Sequence, residues 1–292
     1  MYEILNNCPL CNSGQFHNES IIKDHSISGE SFAIVQCDSC KLSFTNPRPS
    51  QNEIGRFYES EKYISHNDSS NGIFDIAYKA VRFFTLRSKL KLIESLNTGK
   101  TILDFGCGVG DFLKKCKGNN WEVTGIEPSV KAREIAKGKL NSQIAPNLDQ
   151  LESNVPFDII TLWHVLEHVH DLSGCMTQLK NLLKPKGKIV IALPNNQSWD
   201  AQYYKEHWAA YDVPRHLYHF NPETFKSLAK HHNLTISQII PQYFDSYYIC
   251  LLSEKYIHSS NKPISGLNIG YKSNRKAHIS NQYSSLIYIL NK

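Results

Sequence analysis

The stretch Ile102-Leu103-Asp104-Phe105-Gly106-Cys107-Gly108-Val109-Gly110-Asp111-Phe112-Leu113 leaves this chain few folds to choose from. An apolar run ends in glycines at alternate positions and passes into a helix-forming segment, so it reads as strand, tight turn and helix. Glycine is needed where a Cβ would block the turn or the approach of a ligand to backbone N–H groups, and a helix start adds a dipole that favours a carboxylate or phosphate. Glu127 ends the next apolar run, about 20 residues on, where an acidic side chain accepts from both ribose hydroxyls. Together these features describe a cleft for a nucleoside cofactor. The dinucleotide fingerprint G-x-G-x-x-G would need its third glycine at the position of Asp111, which argues against a pyrophosphate ligand and a nicotinamide-dependent dehydrogenase.

Short apolar runs alternate with helical stretches after this point, the pattern of βα units around a parallel sheet and hence of a doubly wound α/β fold. The spacing predicts strands over 101–105, 121–126, 157–163 and 188–193, with helices over 111–117, 129–137 and 172–183, the last stopped by Lys184-Pro185-Lys186-Gly187. A helix over 222–231 opens on Asn221 as cap, followed by strands near 235–240 and 286–290. Upstream, Ile76, Val81, Phe83, Phe84, Leu86, Leu90 and Ile93 recur at helical period over 75–96, and the basic cluster from Arg82 to Lys91 reads as the wet side of that helix. Segments 197–220 and 250–283 fit no period. Asn46-Pro47-Arg48-Pro49 is a natural break, giving a small module over 1–48, a linker and leading helix over 49–98 and the main domain over 99–292.

Asp104-x-Gly106-x-Gly108-x-Gly110, with a carboxylate just before the loop, resembles the first motif of class I S-adenosylmethionine-dependent methyltransferases. The resemblance continues in order through Gly125-Ile126-Glu127-Pro128-Ser129, Phe157-Asp158-Ile159-Ile160 and Leu183-Lys184-Pro185-Lys186-Gly187-Lys188, covering most of 99–245. It implies a seven-stranded Rossmann-like sheet and S-adenosylmethionine as methyl donor, leaving as S-adenosylhomocysteine. It implies cofactor contacts from Asp104, Gly106, Cys107, Gly108, Gly110, Glu127, Pro128 and Trp163, with Asp104 helping to hold the ammonium. The loop Ala145-Pro146-Asn147-Leu148 lacks the Asp that many relatives set against the adenine amine, so Asn147 or backbone near Leu148 is expected in its place.

Cys8-Pro9-Leu10-Cys11 and Cys37-Asp38-Ser39-Cys40 are two C-x-x-C pairs at the spacing of a tetrahedral zinc ribbon, with Cys8, Cys11, Cys37 and Cys40 as ligands. So small a module has little core without its metal. Disulfides or a redox pair fit a cytoplasmic chain poorly. The remaining Cys107, Cys116, Cys175 and Cys250 are scattered and read as buried thiols. Leu42 to Pro49, followed by Phe57, Tyr58 and Tyr63, resembles the linker of bacterial methyltransferases that carry such a ribbon in front, where it covers the cofactor cleft.

Trp163-His164-Val165-Leu166-Glu167-His168-Val169-His170 follows the fourth strand of this main sheet, at the sheet edge where doubly wound proteins place ligands. Its H-x-x-E-H string matches inverted zinc peptidases, but those need both histidines on one helix turn, and His164 falls at a strand end. The segment is closer to that of ubiquinone-type O-methyltransferases, in which an E-x-x-E-H set is associated with a divalent metal. With His164 at the first acidic position, a metal at His164, Glu167 and His168 stands beside a reading in which Glu167 and His168 cap the next turn. Further on, Trp199, Asp200 and Trp208 precede Tyr211-Asp212-Val213-Pro214-Arg215-His216-Leu217-Tyr218-His219-Phe220, an aromatic and basic segment suited to the wall of a small-molecule pocket. His164, His216 and His219 are the candidate catalytic residues, His216 or His219 as general base because imidazole titrates near neutrality.

Composition narrows the partners. Lys and Arg number 32 against 27 Asp and Glu, a formal +5, which a tetrathiolate zinc site would bring to about +3. That weak and dispersed charge argues against an RNA methyltransferase or other nucleic-acid binder and leaves a small-molecule methyl acceptor. A non-catalytic scaffold has no physical need for the glycines and Glu127. No run of eighteen apolar residues suggests a transmembrane segment and no signal peptide is apparent, so the cytoplasm is the expected location.

Overall fold

The computed structural model describes residues 2–58, 73–151 and 156–292, with side chains of the first long helix described from Phe83 onward. Tyr63 and the side chains of Ile76 and Val81 therefore lie outside the described residues. The N-terminal part contributes β1 (Tyr2–Glu3), β2 (Phe16–Lys23), β3 (Ser31–Cys37), β4 (Ser43–Thr45) and β5 (Arg48–Pro49). Helix α1 (Ile73–Ser95) leads into β6 (Thr101–Phe105), α2 (Asp111–Lys117), β7 (Glu122–Ile126), α3 (Val130–Leu140), β8 (Ile144–Ala145) and β9 (Phe157–Trp163). Then come α4 (Leu172–Asn181), β10 (Leu183–Pro194), α5 (Trp199–Tyr204), β11 (Tyr218–His219), α6 (Pro222–His231) and β12 (Thr235–Pro241). The chain closes with α7 (Asp245–His258), α8 (Pro263–Ser280) and β13 (Ser285–Asn291).

The main sheet has seven strands in the order β12-β13-β10-β9-β6-β7-β8. Neighbours from β10 through β8 pair in parallel, while β13 runs antiparallel to both β10 and β12. Strand order reverses between β6 and β9, so a crevice opens at their carboxyl ends, beside the glycine turn. Ile102, Leu103, Ile159, Ile160, Ile189, Val190 and Ile191 are fully buried. Parallel strands covered on both faces must read as continuous apolar runs, and each such side chain contributes about 1.5–3 kcal/mol of burial free energy. Lys184 to Gly187, expected to stop a helix, instead lie within β10, where the pairing with β9 shifts register between Leu183 and Lys188.

A second, antiparallel sheet has the order β11-β4-β3-β2. Its edge strand β11 comes from the segment that sequence periodicity left unassigned, and Tyr218 and His219 pair with Phe44 and Ser43. Cys8, Val35, Cys37, Leu42 and Phe44 belong to the same core cluster as Leu103, Ile160 and Ile191. Polar contacts also tie the N-terminal part to the segment over 212–218. Arg215, 1% exposed, pairs with the buried Asp24 at 3.0 Å and with Asp212 at 2.6 Å, and Arg48 donates to Tyr218 Oη at 3.0 Å.

Segment 250–283 is mostly helical. α7 and α8 form an antiparallel hairpin inserted between β12 and β13. A Cβ added at Gly266 or Gly270 would stand 2.9 Å from the Cα of Leu251 or Tyr247, so glycine is what lets the two helix backbones come this close. No helix among the described residues is long and apolar enough to cross a membrane.

Candidate functional site

The glycine turn closes on itself through its own backbone. Gly106 and Cys107 N–H both donate to the Ile126 carbonyl, at 2.8 and 2.9 Å, and Gly110 N–H donates to Cys107 O at 3.0 Å. Gly108 N–H donates to Glu127 Oε2 at 2.8 Å, and the other Glu127 oxygen accepts from Ser129 N at 2.9 Å. The donors expected to face an anion are thus committed within the protein, because the turn has to tie β6 to the end of β7. What the turn offers a ligand is room. Gly106, Gly108 and Gly110 all have positive φ, and only at Gly108 would a Cβ find nothing within 4 Å. At Gly106 it would meet Val165 Cγ2 at 2.5 Å, and at Gly110 it would meet Leu140 and Ala136. Cys107 is buried, and burial pushes its thiol pKa up.

Asp104 is 3% exposed and accepts from Thr161 Oγ1 at 2.6 Å. Burial raises its carboxyl to about 7 against the opposing effects of the Thr161 hydrogen bond and the Lys89 charge. Lys89 was expected on the wet face of α1. It instead turns inward, its Nζ 4.4 Å from the centroid of the Trp163 ring, and burial lowers its pKa against Asp104 and Asp245. Trp163 also meets Phe112 edge-on at 5.6 Å, which sets the indole beside the start of α2. Pro128 and Glu127 carbonyls accept from Arg133 Nη1, fixing the loop after β7. Asn147 Oδ1 accepts from Gln150 N at 2.9 Å, so that oxygen shapes its own turn, and Leu148 packs partly buried against the core.

His164 has φ +57 at the end of β9, placing Nε2 2.9 Å from Asp245 Oδ2 and Nδ1 3.6 Å from Glu167 Oε1. Burial opposes its charge, but the two carboxylates outweigh that and raise its pKa to about 10, so at neutral pH it is a cation. Glu167 is fully buried, and neither carboxylate oxygen has a hydrogen-bond partner. Its neighbours are imidazoles: besides His164, His216 Nε2 lies 3.9 Å away. The donor atoms of Glu167, His168 and His216 all fall within 4.8 Å of one another, a spacing that suits a metal ion. His216 Nδ1–H donates to Ala210 O at 2.9 Å, and His168 Nδ1–H donates to Arg215 O at 3.0 Å, which leaves each Nε2 as the basic nitrogen. The Glu167 carbonyl also accepts from Leu217 N at 2.7 Å, tying the two segments together.

His219 stands apart from this group. It is 4% exposed, its Nε2 lies 3.1 Å from Thr45 Oγ1, and burial lowers its pKa to about 3. The cysteines of the two C-x-x-C pairs converge: Cys8 and Cys40 Sγ are 3.5 Å apart, as are Cys11 and Cys37 Sγ, and all four lie within 4.8 Å. A zinc tetrahedron with bonds of 2.3 Å has edges of about 3.8 Å, so the cluster fits one ion. The two knuckles are alike: Asn12 and Lys41 both have φ near 60° and donate to the carbonyls of Cys8 and Cys37.

Asp245 and Lys89 were not foreseen. Lys89 left a trace, because it stands three residues after Leu86 and four before Ile93, on the buried side of α1. Asp245 left none, since only the fold brings it to His164.

A methyltransferase-domain family matches residues 78–239, more than half of the chain. An uncharacterised methyltransferase of Anoxybacillus flavithermus is 33% identical over 140 residues, spanning 46% of this chain and 61% of the relative. The demethylmenaquinone methyltransferase of Lactococcus lactis is 32% identical over 104 residues, 32% of this chain and 41% of that protein. The chain thus spans about half the length of the curated relatives it matches. Its fold is shared with magnesium protoporphyrin IX methyltransferase of Synechocystis, at a TM-score of 0.52 and 15% identity over 81% of this chain and 97% of that one. A methyltransferase from Archaeoglobus fulgidus gives 0.50 and 18%, covering 76% of this chain and all of its own.

Proposed function

We propose, from the premise that this chain belongs to the class I S-adenosylmethionine-dependent methyltransferase family, that it moves the methyl group of S-adenosylmethionine to a nucleophile on a small-molecule acceptor. The observation that carries this reading is the Glu127 carboxylate resting on Gly108 N–H beside open space at Gly108. A ribose fits against that carboxylate because its hydroxyls donate where Gly108 and Ser129 now do. The buried Asp104 meets the ammonium of the methionyl tail, and Gly106 to Gly110 leave room for the chain of atoms between. Trp163 walls the same space, and backbone near Leu148 is read as the adenine contact, since Asn147 has used its oxygen.

When bound, the sulfonium supplies an activated methyl: the acceptor forms a bond to that carbon while the carbon–sulfur bond breaks and its electrons pass to sulfur. The protein's work is then to position and to take a proton. His164 stays protonated between Asp245 and Glu167, and its positive charge favours the negative charge that an acceptor gains as it loses its proton. His216 takes the proton at Nε2, and Glu167 balances the imidazolium that results. His219 is read as a structural residue of the second sheet. The cysteine cluster holds zinc as a structural ion that organises the two knuckles, consistent with a reducing, cytoplasmic setting.

A second reading keeps the fold and donor but places a divalent cation on Glu167, His168 and His216, favoured by the two unpartnered Glu167 oxygens. His164 then falls outside the ligand set, because Asp245 has drawn it away. Such an ion would polarise an acceptor oxygen. Retained turnover after exhaustive dialysis against a chelator, with the ribbon zinc still bound, excludes it.

The test of the main reading is release of S-adenosylhomocysteine from methyl-labelled S-adenosylmethionine, with a panel of hydroxylated aromatic and quinol-like acceptors of the kind the names of its relatives suggest. Label should reach an acceptor, and Glu127→Ala should abolish both transfer and cofactor binding. Unchanged cofactor affinity in that variant would sink the assignment.

A further inference from the structure

We propose that the α7–α8 hairpin docks on an anionic lipid surface, a role that does not rest on methyl transfer. After Glu254 the chain contains no Asp or Glu, while Lys255, Lys262, Lys272, Arg275 and Lys276 all follow within the hairpin. The two acidic residues of α7 are turned inward, Asp245 to His164 and Glu254 to Tyr204 Oη at 3.0 Å. The outer charge of the hairpin is therefore positive. None of these five cations forms an ion pair among the described residues.

The same surface is apolar beyond what packing requires. α8 packs through Gly266, Ile269, Gly270, Ser273 and Ala277, and this leaves Ile264 85% and Ile279 86% exposed, with Leu267 and Tyr271 about half exposed. Ile264, Leu267 and Tyr271 stand at i, i+3 and i+7, one stripe of the helix, and Arg275 continues it one turn further on. Lys272 and Lys276 flank it. Tyr243 and Phe244, also about half exposed, lie at the root of the hairpin next to Asp245 and the His164 site.

A lipid interface suits this combination: aliphatic side chains enter the acyl boundary while Lys and Arg meet headgroup phosphates. A second copy of the same face would bring like charges together, which disfavours self-association through it. Nucleic acid would satisfy the cations but leave bare isoleucines with nothing to stack on. The lipid surface is thus the occupant that uses both kinds of residue, and docking there would turn the root of the hairpin, and the site beside it, toward the membrane.

The experiment is co-sedimentation of the full chain with phosphatidylcholine vesicles, alone or with about one-third phosphatidylglycerol, at low and moderate salt. S-adenosylhomocysteine affinity is measured alongside as the control for folding. Binding is expected to the anionic vesicles only and to weaken with salt. Ile264→Asp/Ile279→Asp and Lys272→Glu/Arg275→Glu/Lys276→Glu should each reduce partitioning at least about tenfold with cofactor affinity unchanged. Equal or absent binding to the two vesicle types overturns the proposal. So does a dimer in sedimentation velocity that Ile264→Asp/Ile279→Asp dissociates without any effect on vesicles, or tighter binding to a ribo-oligonucleotide that ignores the isoleucine changes.

Discussion

Replacing Gly108 with arginine separates the stability of the fold from occupancy of the cleft. The residue has φ +54, so any side chain there adopts the left-handed region, at about 1–2 kcal/mol. Nothing lies within 4 Å of its Cβ position, so no steric term is added. The variant should fold, with its Tm lowered by only a few degrees. The arginine side chain, however, enters the space assigned to the cofactor. A loss of at least about 100-fold in S-adenosylhomocysteine affinity, about 2.7 kcal/mol, is expected by titration calorimetry. Gly106→Ala is the counterpart: φ +77 is joined by a Cβ only 2.5 Å from Val165 Cγ2. Overpacking adds about 1–3 kcal/mol to the backbone cost, so this smaller change should destabilise the protein more. If Gly108→Arg binds with wild-type affinity, or if it is the less stable of the two, the placement of the cleft is refuted.

The raised pKa of Asp104, about 7 against about 3.9 when unfolded, means that the folded state holds the proton more tightly and that this group costs stability as pH rises between those values. Because a cationic tail needs the ionised form, S-adenosylhomocysteine affinity should climb from pH 6 to 8 and flatten above, measured by calorimetry; a pH dependence that persists in Asp104→Asn would contradict this. Arg215→Met strands Asp24 in the interior and should cost about 3–5 kcal/mol in urea unfolding. Since Arg215 and Ser28 depress the Asp24 pKa against the pull of burial, the stability it contributes is present above about pH 4 and is lost as pH falls below that. Cys37→Ser should leave the purified protein without its single equivalent of zinc by elemental analysis; full retention would rule out the tetrathiolate site. His216→Asn should lower kcat by about 10²–10⁴-fold with little change in cofactor affinity, and an unaltered kcat would remove it as the base.

Much of the main domain could be read from periodicity, because parallel strands buried on both faces need short apolar runs, which Ile102-Leu103 in β6, Ile159-Ile160 in β9 and Ile189 to Leu193 in β10 supply. The helix over 222–231 was marked at its start by Asn221, which caps Glu223 and Thr224 N–H as its position suggested. The hairpin was illegible for a specific reason. The packing face of α8 is glycine, serine and alanine around Ile269, while Ile264 and Ile279 face outward, so hydrophobicity and burial are largely uncoupled along that helix. β11 escaped because two residues carry no period. The meeting of Glu127 with the glycine turn was legible, since it is set by local backbone geometry. The pairing of His164 with Asp245, and of Glu167 with His216, depends on segments far apart in the chain, which no spacing rule reports.

The pairing of β11 with β4 also bears on biosynthesis. Residues 43–45 leave the ribosome some 170 residues ahead of the strand that completes their sheet. Until then the nascent N-terminal segment has an open edge and lacks the Arg215 counter-ion for Asp24. A chain released before about residue 220 would expose that edge to other polypeptides. Transplanting residues 1–48 alone onto another protein would create the same defect, so this segment has to be moved together with the downstream strand that completes its sheet.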